Sequence, residues 1–294
     1  MHTELAALTW DLVSDFEQLT TYPFMVQALE AGAIVALTAG AIGWFMVLRR
    51  QTFAGHTLSV IAFPGAAAAT LAGLPVALGY FGACGLGALV LGLLGRGERG
   101  SDSGGESATI GTVQAFGLGL GFLFVGLYGG QLLGLESLLF GTFLGITAGQ
   151  VQTLLWVAVA VFAVLALIGR PLLFASVDAG VARAAGVPTR LLDLAFLLLL
   201  GMAVAATAQI TGALLVFALL VTPAATAQQL TARPGAGFLL AAALALAVTW
   251  LGLSIAYFSP YPVGFWVTSI SFGLYVAVRL GRHLRESRAL GVPA

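Results

Sequence analysis

The sequence predicts an all-α fold, a polytopic transmembrane bundle of eight or nine helices, with short broken helices inside it and one small helix held on the cytoplasmic face. Three observations predict this. Of 294 residues, 60% are hydrophobic and only 8% charged, which leaves too little polar surface to disperse a soluble globule, so lipid is the solvent this chain requires. Apolar stretches of about 20 residues, the length that carries a helix across a bilayer core of about 30 Å, recur along most of the chain. The twelve basic residues, all arginine, fall in alternate gaps between those stretches.

The elements follow in chain order. Residues 1–22 carry Glu4, Asp11, Asp15 and Glu17 and no arginine, the reverse of a secretory signal's basic start, so the segment is expected to be retained. Leu5, Leu8, Leu12, Phe16 and Leu19 recur at three- and four-residue spacing, which fits an extracytoplasmic interfacial helix or a loosely ordered tail. Crossings are expected near 24–48, 57–74, 75–95, 108–133, 152–169, 191–208, 211–230, 237–257 and 263–280. The second and seventh are short and interrupted by Pro64 and Pro223; if either is re-entrant, the number falls to eight. The membrane domain thus spans 23–281, and 282–294 forms a carboxyl-terminal tail.

Orientation comes from the arginines. Arg49 and Arg50 follow the first crossing, Arg96 and Arg99 the third, Arg170, Arg183 and Arg190 the fifth, Arg233 the seventh, and Arg279, Arg282, Arg285 and Arg288 the last. With nine crossings all twelve lie on one side, which is the cytoplasm, and the acidic amino terminus lies outside. The segment 95–107 is rich in glycine and serine and reads as a flexible loop. The segment 176–190 reads as ordered: Asp178 is a helix N-cap, Gly186 a C-cap and Pro188 a stop, giving about two helical turns suited to docking a partner. Glycines cluster in the third and fourth crossings, where they allow close approach of helix backbones.

Several function classes are excluded or disfavoured by residue content. With zero formal net charge and no basic stripe, there is no footprint for nucleic acid. The single cysteine, Cys84, offers no intrachain disulfide or thiolate cluster and reads as a small packing residue. The chain has no lysine, so it lacks the Gly-Lys-Ser/Thr phosphate loop, and any ATP hydrolysis must occur on another polypeptide. No nucleophile stands with a base and an orienting acid, so an enzyme is not indicated and no cofactor is expected.

Ionisable groups at membrane depth are costly and mark function, which singles out Glu30 in the first crossing and His56 at the start of the second as candidate cation ligands. Each also has a plain structural reading, a hydrated interfacial carboxylate and a hydrogen-bonded core histidine. Glu136 reads as a loop residue. The prolines of Phe63-Pro64-Gly65 and Thr222-Pro223-Ala224 sit in corresponding places of the two halves, where freed carbonyls can line a polar pathway. Thr207, Gln209, Thr211 and Thr222 add neutral oxygens around the turn from the sixth to the seventh crossing.

An ordered set of segments then carries a resemblance: Val47-Leu48-Arg49-Arg50; Leu58-Ser59 with Pro64-Gly65; the segment 176–188 with Asp178, Ala182-Arg183-Ala184 and Gly186-Val187; and Thr211-Gly212-Ala213-Leu214-Leu215-Val216 through Thr222-Pro223-Ala224-Ala225-Thr226-Ala227. Together the chain from 24 to 280 resembles the metal-ion permeases of ATP-binding-cassette importers, membrane subunits for zinc, manganese or iron uptake in the bacterial cytoplasmic membrane. The resemblance implies a permease that pairs with a second copy of itself and docks two ATPase subunits through a coupling helix at 178–188. Its coupling residues are Asp178, Arg183, Gly186 and Pro188; the candidate pathway residues are Ser59, Pro64, Thr211, Thr222 and Pro223, which lie in the resembling segments, with Gln209 from the oxygens at the sixth-to-seventh turn. An extracytoplasmic binding protein delivers the divalent metal, ATP is held by the partner subunit, and transport proceeds by alternating access. In that family the second crossing opens with an aspartate followed four residues later by a histidine, whereas this chain has His56 and Val60. A pair of His56 side chains from two subunits favours a borderline metal such as zinc over calcium or magnesium. The alternatives are an ion-coupled secondary transporter, which needs carboxylates at mid-membrane, a purely structural subunit, and an importer of chelated metal.

Overall fold

The computed structural model describes residues 19, 21–94, 103–128, 138, 139, 141, 145–213 and 215–289, and over these residues no strand occurs. Ten helices follow one another among the described residues: α1 (Pro23–Leu48), α2 (Thr52–Leu71), α3 (Val76–Leu94), α4 (Ser103–Tyr128), α5 (Ala148–Val177), α6 (Ala179–Ala184), α7 (Thr189–Thr211), α8 (Val216–Leu230), α9 (Pro234–Tyr257) and α10 (Val263–Ala289). All but α6 and α8 are long and apolar enough to cross a membrane, eight in total. The 15 residues of α8 rise about 22 Å, short of a full crossing.

Helices α1, α2 and α7 are the most enclosed, and α3, α4, α5, α9 and α10 surround them. The outer helices turn large apolar side chains outward, among them Phe116, Phe122, Leu167, Leu239 and Phe272. In water such a surface would aggregate; in lipid it is the expected exterior. Inside, backbones replace side chains as the packing surface. A Cβ on Gly40 would lie 2.7 Å from the Ala241 carbonyl oxygen of α9, one on Gly201 2.8 Å from the Cys84 carbonyl oxygen of α3, and one on Gly43 would overlap the Leu220 carbonyl of α8.

Several boundaries differ from the sequence expectation. Helix α4 begins at Ser103, inside the stretch read as a loop, and α5 runs past Arg170 and Pro171 to Val177. Its start is set by a capping box in which Thr147 and Gln150 exchange side-chain and backbone hydrogen bonds. Neither α2 nor α8 is broken at its proline: both continue through Pro64 and Pro223. The interruption lies upstream of α8, where Gly212 (φ 74°) ends α7 and crosses Gly141 (φ 74°) so closely that a Cβ on Gly141 would lie 2.6 Å from the Gly212 nitrogen. There Tyr80 Oη and the Ala213 amide both donate to the Leu138 carbonyl, at 3.1 and 3.2 Å.

Of the clustered glycines, Gly79, Gly87, Gly117 and Gly121 meet α2, while Gly82, Gly85, Gly119 and Gly126 meet nothing within 4 Å. Helix α10 continues without a break past 281 to Ala289. The expectations for 1–18, for 95–102, for Glu136 and for Gly129 and Gly130 fall outside the described residues.

Candidate functional site

Two places gather the polar groups that this apolar chain retains. The first is the start of α2. Helix α1 ends in a left-handed turn: the Arg49, Arg50 and Gln51 amides donate to the carbonyls of Phe45, Val47 and Met46, and Arg50 takes φ 57°. The connection to α2 is therefore three residues long, and Gly55 abuts the Met46 side chain. One residue later His56 is half-buried, its ring edge-on to Phe217 of α8 with centroids 4.9 Å apart. Its Nδ1 is buried without a hydrogen-bond partner, so an imidazole lone pair or N–H there is available to an incoming group.

Around His56 the other hydroxyls of α2 are engaged. Ser59 Oγ donates to the His56 carbonyl at 2.7 Å, and Thr57 Oγ1 to Gln114 Oε1 of α4 at 3.2 Å. Val60 supplies no ligating side chain, but Pro64 has no N–H, so the Val60 carbonyl lacks its usual helical donor one turn beyond His56. A half-buried imidazole and a freed carbonyl thus lie on the same enclosed helix.

Glu30 does not join this group. It is exposed on α1, and His56 sits near the level of Met46, sixteen residues or about 24 Å further along α1. Among the described residues, no three His, Cys, Asp or Glu side chains converge. Thr211 Oγ1 donates back to the Thr207 carbonyl at 3.0 Å, and the Thr222 carbonyl accepts from Thr226 at 2.7 Å. Gln209 reaches the Ala205 carbonyl at 3.4 Å and lines a cavity of about 30 Å³ with Gln150, space for about one water. Pro223 is buried in α8.

The second place is the face that carries Arg49, Arg50, Arg183 and Arg190. Asp178 closes α5 and opens α6, its Oδ1 accepting from the Gly180 and Val181 amides at 2.8 and 2.9 Å. Helix α6 is short and exposed, anchored by the fully buried Ala182. Arg183 Nε donates to the Ala179 carbonyl at 3.1 Å. Gly186, at φ 82°, ends the helix as the Val187 amide bonds the Ala182 carbonyl, and Pro188 leads into α7. Beside α6 lies a cavity of about 1110 Å³ whose charged lining comprises Arg49, Arg50, Arg183, Arg190 and Asp193. Four cations against one carboxylate make it basic.

At the back of that cavity is a cluster the sequence reading did not assemble. Arg49 pairs with Asp193 of α7, donates to Ser176 Oγ of α5 at 3.0 Å, and lies over the Phe196 ring at 5.2 Å. Its side chain is 7% exposed and that of Asp193 18%. The available signal was Asp193 itself, a carboxylate inside the sixth apolar stretch with an aromatic residue three positions on.

Comparison with known proteins agrees along most of the chain. The model of the ABC 3 transport family matches residues 21–281. The manganese transport system membrane protein MntC of Halalkalibacterium halodurans is 31% identical over 74% of this chain and 73% of its own length. The chelated iron transport system membrane protein YfeC of Yersinia pestis is 31% identical over 81% of this chain and 79% of its own. Among solved structures, PsaBC from Streptococcus pneumoniae in complex with Fab superposes with a TM-score of 0.79 at 25% identity, covering 90% of this chain and 94% of that one.

Proposed function

The chain belongs to the ABC 3 transport family, and from that premise we propose that it is the permease subunit of an ATP-driven importer carrying a divalent metal ion, zinc or manganese, across the cytoplasmic membrane. The observation that carries this reading is α6. A capped two-turn helix, exposed between two long crossings on the arginine-bearing face, is built to receive a cytoplasmic partner, and a chain without lysine leaves the ATPase site to that partner. The permease works with an ATPase subunit and an extracytoplasmic metal-binding protein, and a second copy of the chain completes the pathway.

Within this reading His56 is the ligand presented to the ion inside the membrane through its unpartnered Nδ1, and the Val60 carbonyl offers an oxygen one turn further along α2. Glu30, about 24 Å away toward the outer end of α1, is a separate station that attracts a cation and cannot share one with His56 in the same chain. ATP binding to the partner moves α6, and the bundle exchanges an outward-open for an inward-open arrangement. The likeness to YfeC, whose name specifies chelated iron, supports iron or its chelate as the second reading of the substrate.

The test is elemental analysis of cells expressing the chain with an ATPase and a binding-protein partner. His56→Ala is expected to lower accumulation of one metal by about tenfold or more at unchanged expression, since loss of even a residue that only orients a ligand typically costs that much. Equal accumulation by His56→Ala removes His56 from the pathway.

A further inference from the structure

We propose that Arg49 is a positioning residue that ties both roots of α6 to the α1–α2 turn, so that movement of α6 is passed directly to the helix carrying His56. The proposal rests on the permease reading above and adds the route by which the two sites communicate. Ser176 lies two residues before Asp178, the cap of α6, and Asp193 lies in the first turn and a half of α7, the helix that follows α6. Arg49 holds both through one guanidinium, with Phe196 beneath its plane. Ser176 Oγ is itself fixed by donating to the Leu172 carbonyl at 2.5 Å, and Arg49 Nε reaches Gln51 Oε1 at 3.4 Å.

The guanidinium's planar fork suits this task, since it bonds a carboxylate and a hydroxyl at fixed angles while its face rests on an aromatic ring. Its other end is equally constrained. Arg49 belongs to the three-residue turn in which Arg50 adopts a left-handed conformation that a side chain rarely takes, and α2 begins at Thr52. A displacement of α6 therefore has no slack to take up before it reaches α2. Breaking the pair leaves an enclosed charge uncompensated, so the cluster is expected to hold together or fail as a unit.

Two measurements test this on the full complex in proteoliposomes. In the first, metal moved per ATP hydrolysed is compared for wild type, Arg49→Gln, Asp193→Asn and the double variant. Each single variant is expected to keep ATP hydrolysis while losing about tenfold in metal per ATP, and the double variant to lose no more than either alone, because both act through one pair. Unchanged metal per ATP in both singles, or losses that multiply in the double, overturns the proposal.

In the second, spin labels are placed at the exposed positions Val181→Cys and Phe53→Cys, with Cys84 fully buried and shielded from labelling. With labelled chain diluted in unlabelled chain so that only the intrachain pair is read, one narrow distance that persists on trapping the ATPase with nucleotide and vanadate is expected in wild type, and a broadened one in Arg49→Gln. Equal widths contradict the linkage. Where Arg49→Gln does not fold, Ser176→Ala removes one arm alone and is expected to broaden the same distance; no broadening counts against the proposal. A wild-type complex that moves no metal contradicts the permease reading instead, and the distance measurement then decides the linkage by itself.

Discussion

At the residue scale, small side chains and a few charges carry the structure's specific demands. Gly43 sits where α1 crosses α8 with backbone on backbone, and any Cβ would overlap the Leu220 carbonyl, which has no freedom to step aside within a helix. Gly43→Ala is therefore expected to destabilise the bundle by about 1–3 kcal/mol or more, the usual cost of forcing atoms into a filled core. Thermal unfolding in detergent checks this; a melting temperature equal to wild type would show that the two helices separate freely at that level. Glycine abundance was legible in the sequence, but which glycines pack was not. Gly79 and Gly87 meet α2 while Gly82 and Gly85, on the same helix, face outward, because face depends on the rotation of α3 against its neighbours. Asp193 was overlooked for a related reason: its partner is 144 residues away at Arg49, and the spacing of a single helix does not reveal such a pair.

At the element scale, α6 was readable in full because its signals are local. Asp178, Gly186 and Pro188 specify start, left-handed end and stop within eleven residues; the structure places Asp178 and Gly186 in those roles, while Pro188 caps the start of α7. Removing the cap with Asp178→Ala is expected to destabilise α6 by about 1 kcal/mol, too little to unfold the bundle. ATP hydrolysis by the partner should continue while metal uptake falls, and matched losses in both would indicate that the partner no longer binds at all. The broken helices were misplaced because proline was taken as the break. An enclosed helix tolerates proline when neighbouring helices hold it straight, and the interruption instead follows the Gly141–Gly212 crossing, a contact between segments distant in sequence. Pro64 keeps a different consequence: the Val60 carbonyl has no N–H four residues on to bond. Pro64→Ala restores a donor to it, so uptake is expected to fall while the melting temperature stays level or rises. Uptake at the wild-type level would show that the carbonyl takes no part in the pathway.

At the scale of the whole molecule, the membrane bundle was legible from composition and from the alternation of arginines, since both are sums over many residues. Eight of the nine crossings read from the sequence are long apolar helices in the expected order, the ninth being the short α8, and the arginines at 49, 50, 183 and 190 line one cavity beside α6. What could not be read was distance between elements: that His56 and Glu30 lie far apart, that Phe217 closes over His56, and that one guanidinium joins three helices beneath α6. In the proposed reading the ligand site lies on α2 and the docking helix between α5 and α7, and the α1–α2 turn packs between them through Arg49. ATP-driven movement at the second site must therefore reach the first through packed helices.

The most direct test of this account is metal uptake into right-side-out vesicles loaded with ATP and carrying the chain with its ATPase and binding protein, measured with intact ATPase and with the phosphate-binding lysine of that ATPase replaced. Uptake of a divalent metal that requires the chain, proceeds in the importing direction and stops when the partner's lysine is replaced is the result predicted. Uptake that persists with the disabled ATPase, driven by a proton or sodium gradient, would contradict it and identify the chain as an ion-coupled carrier.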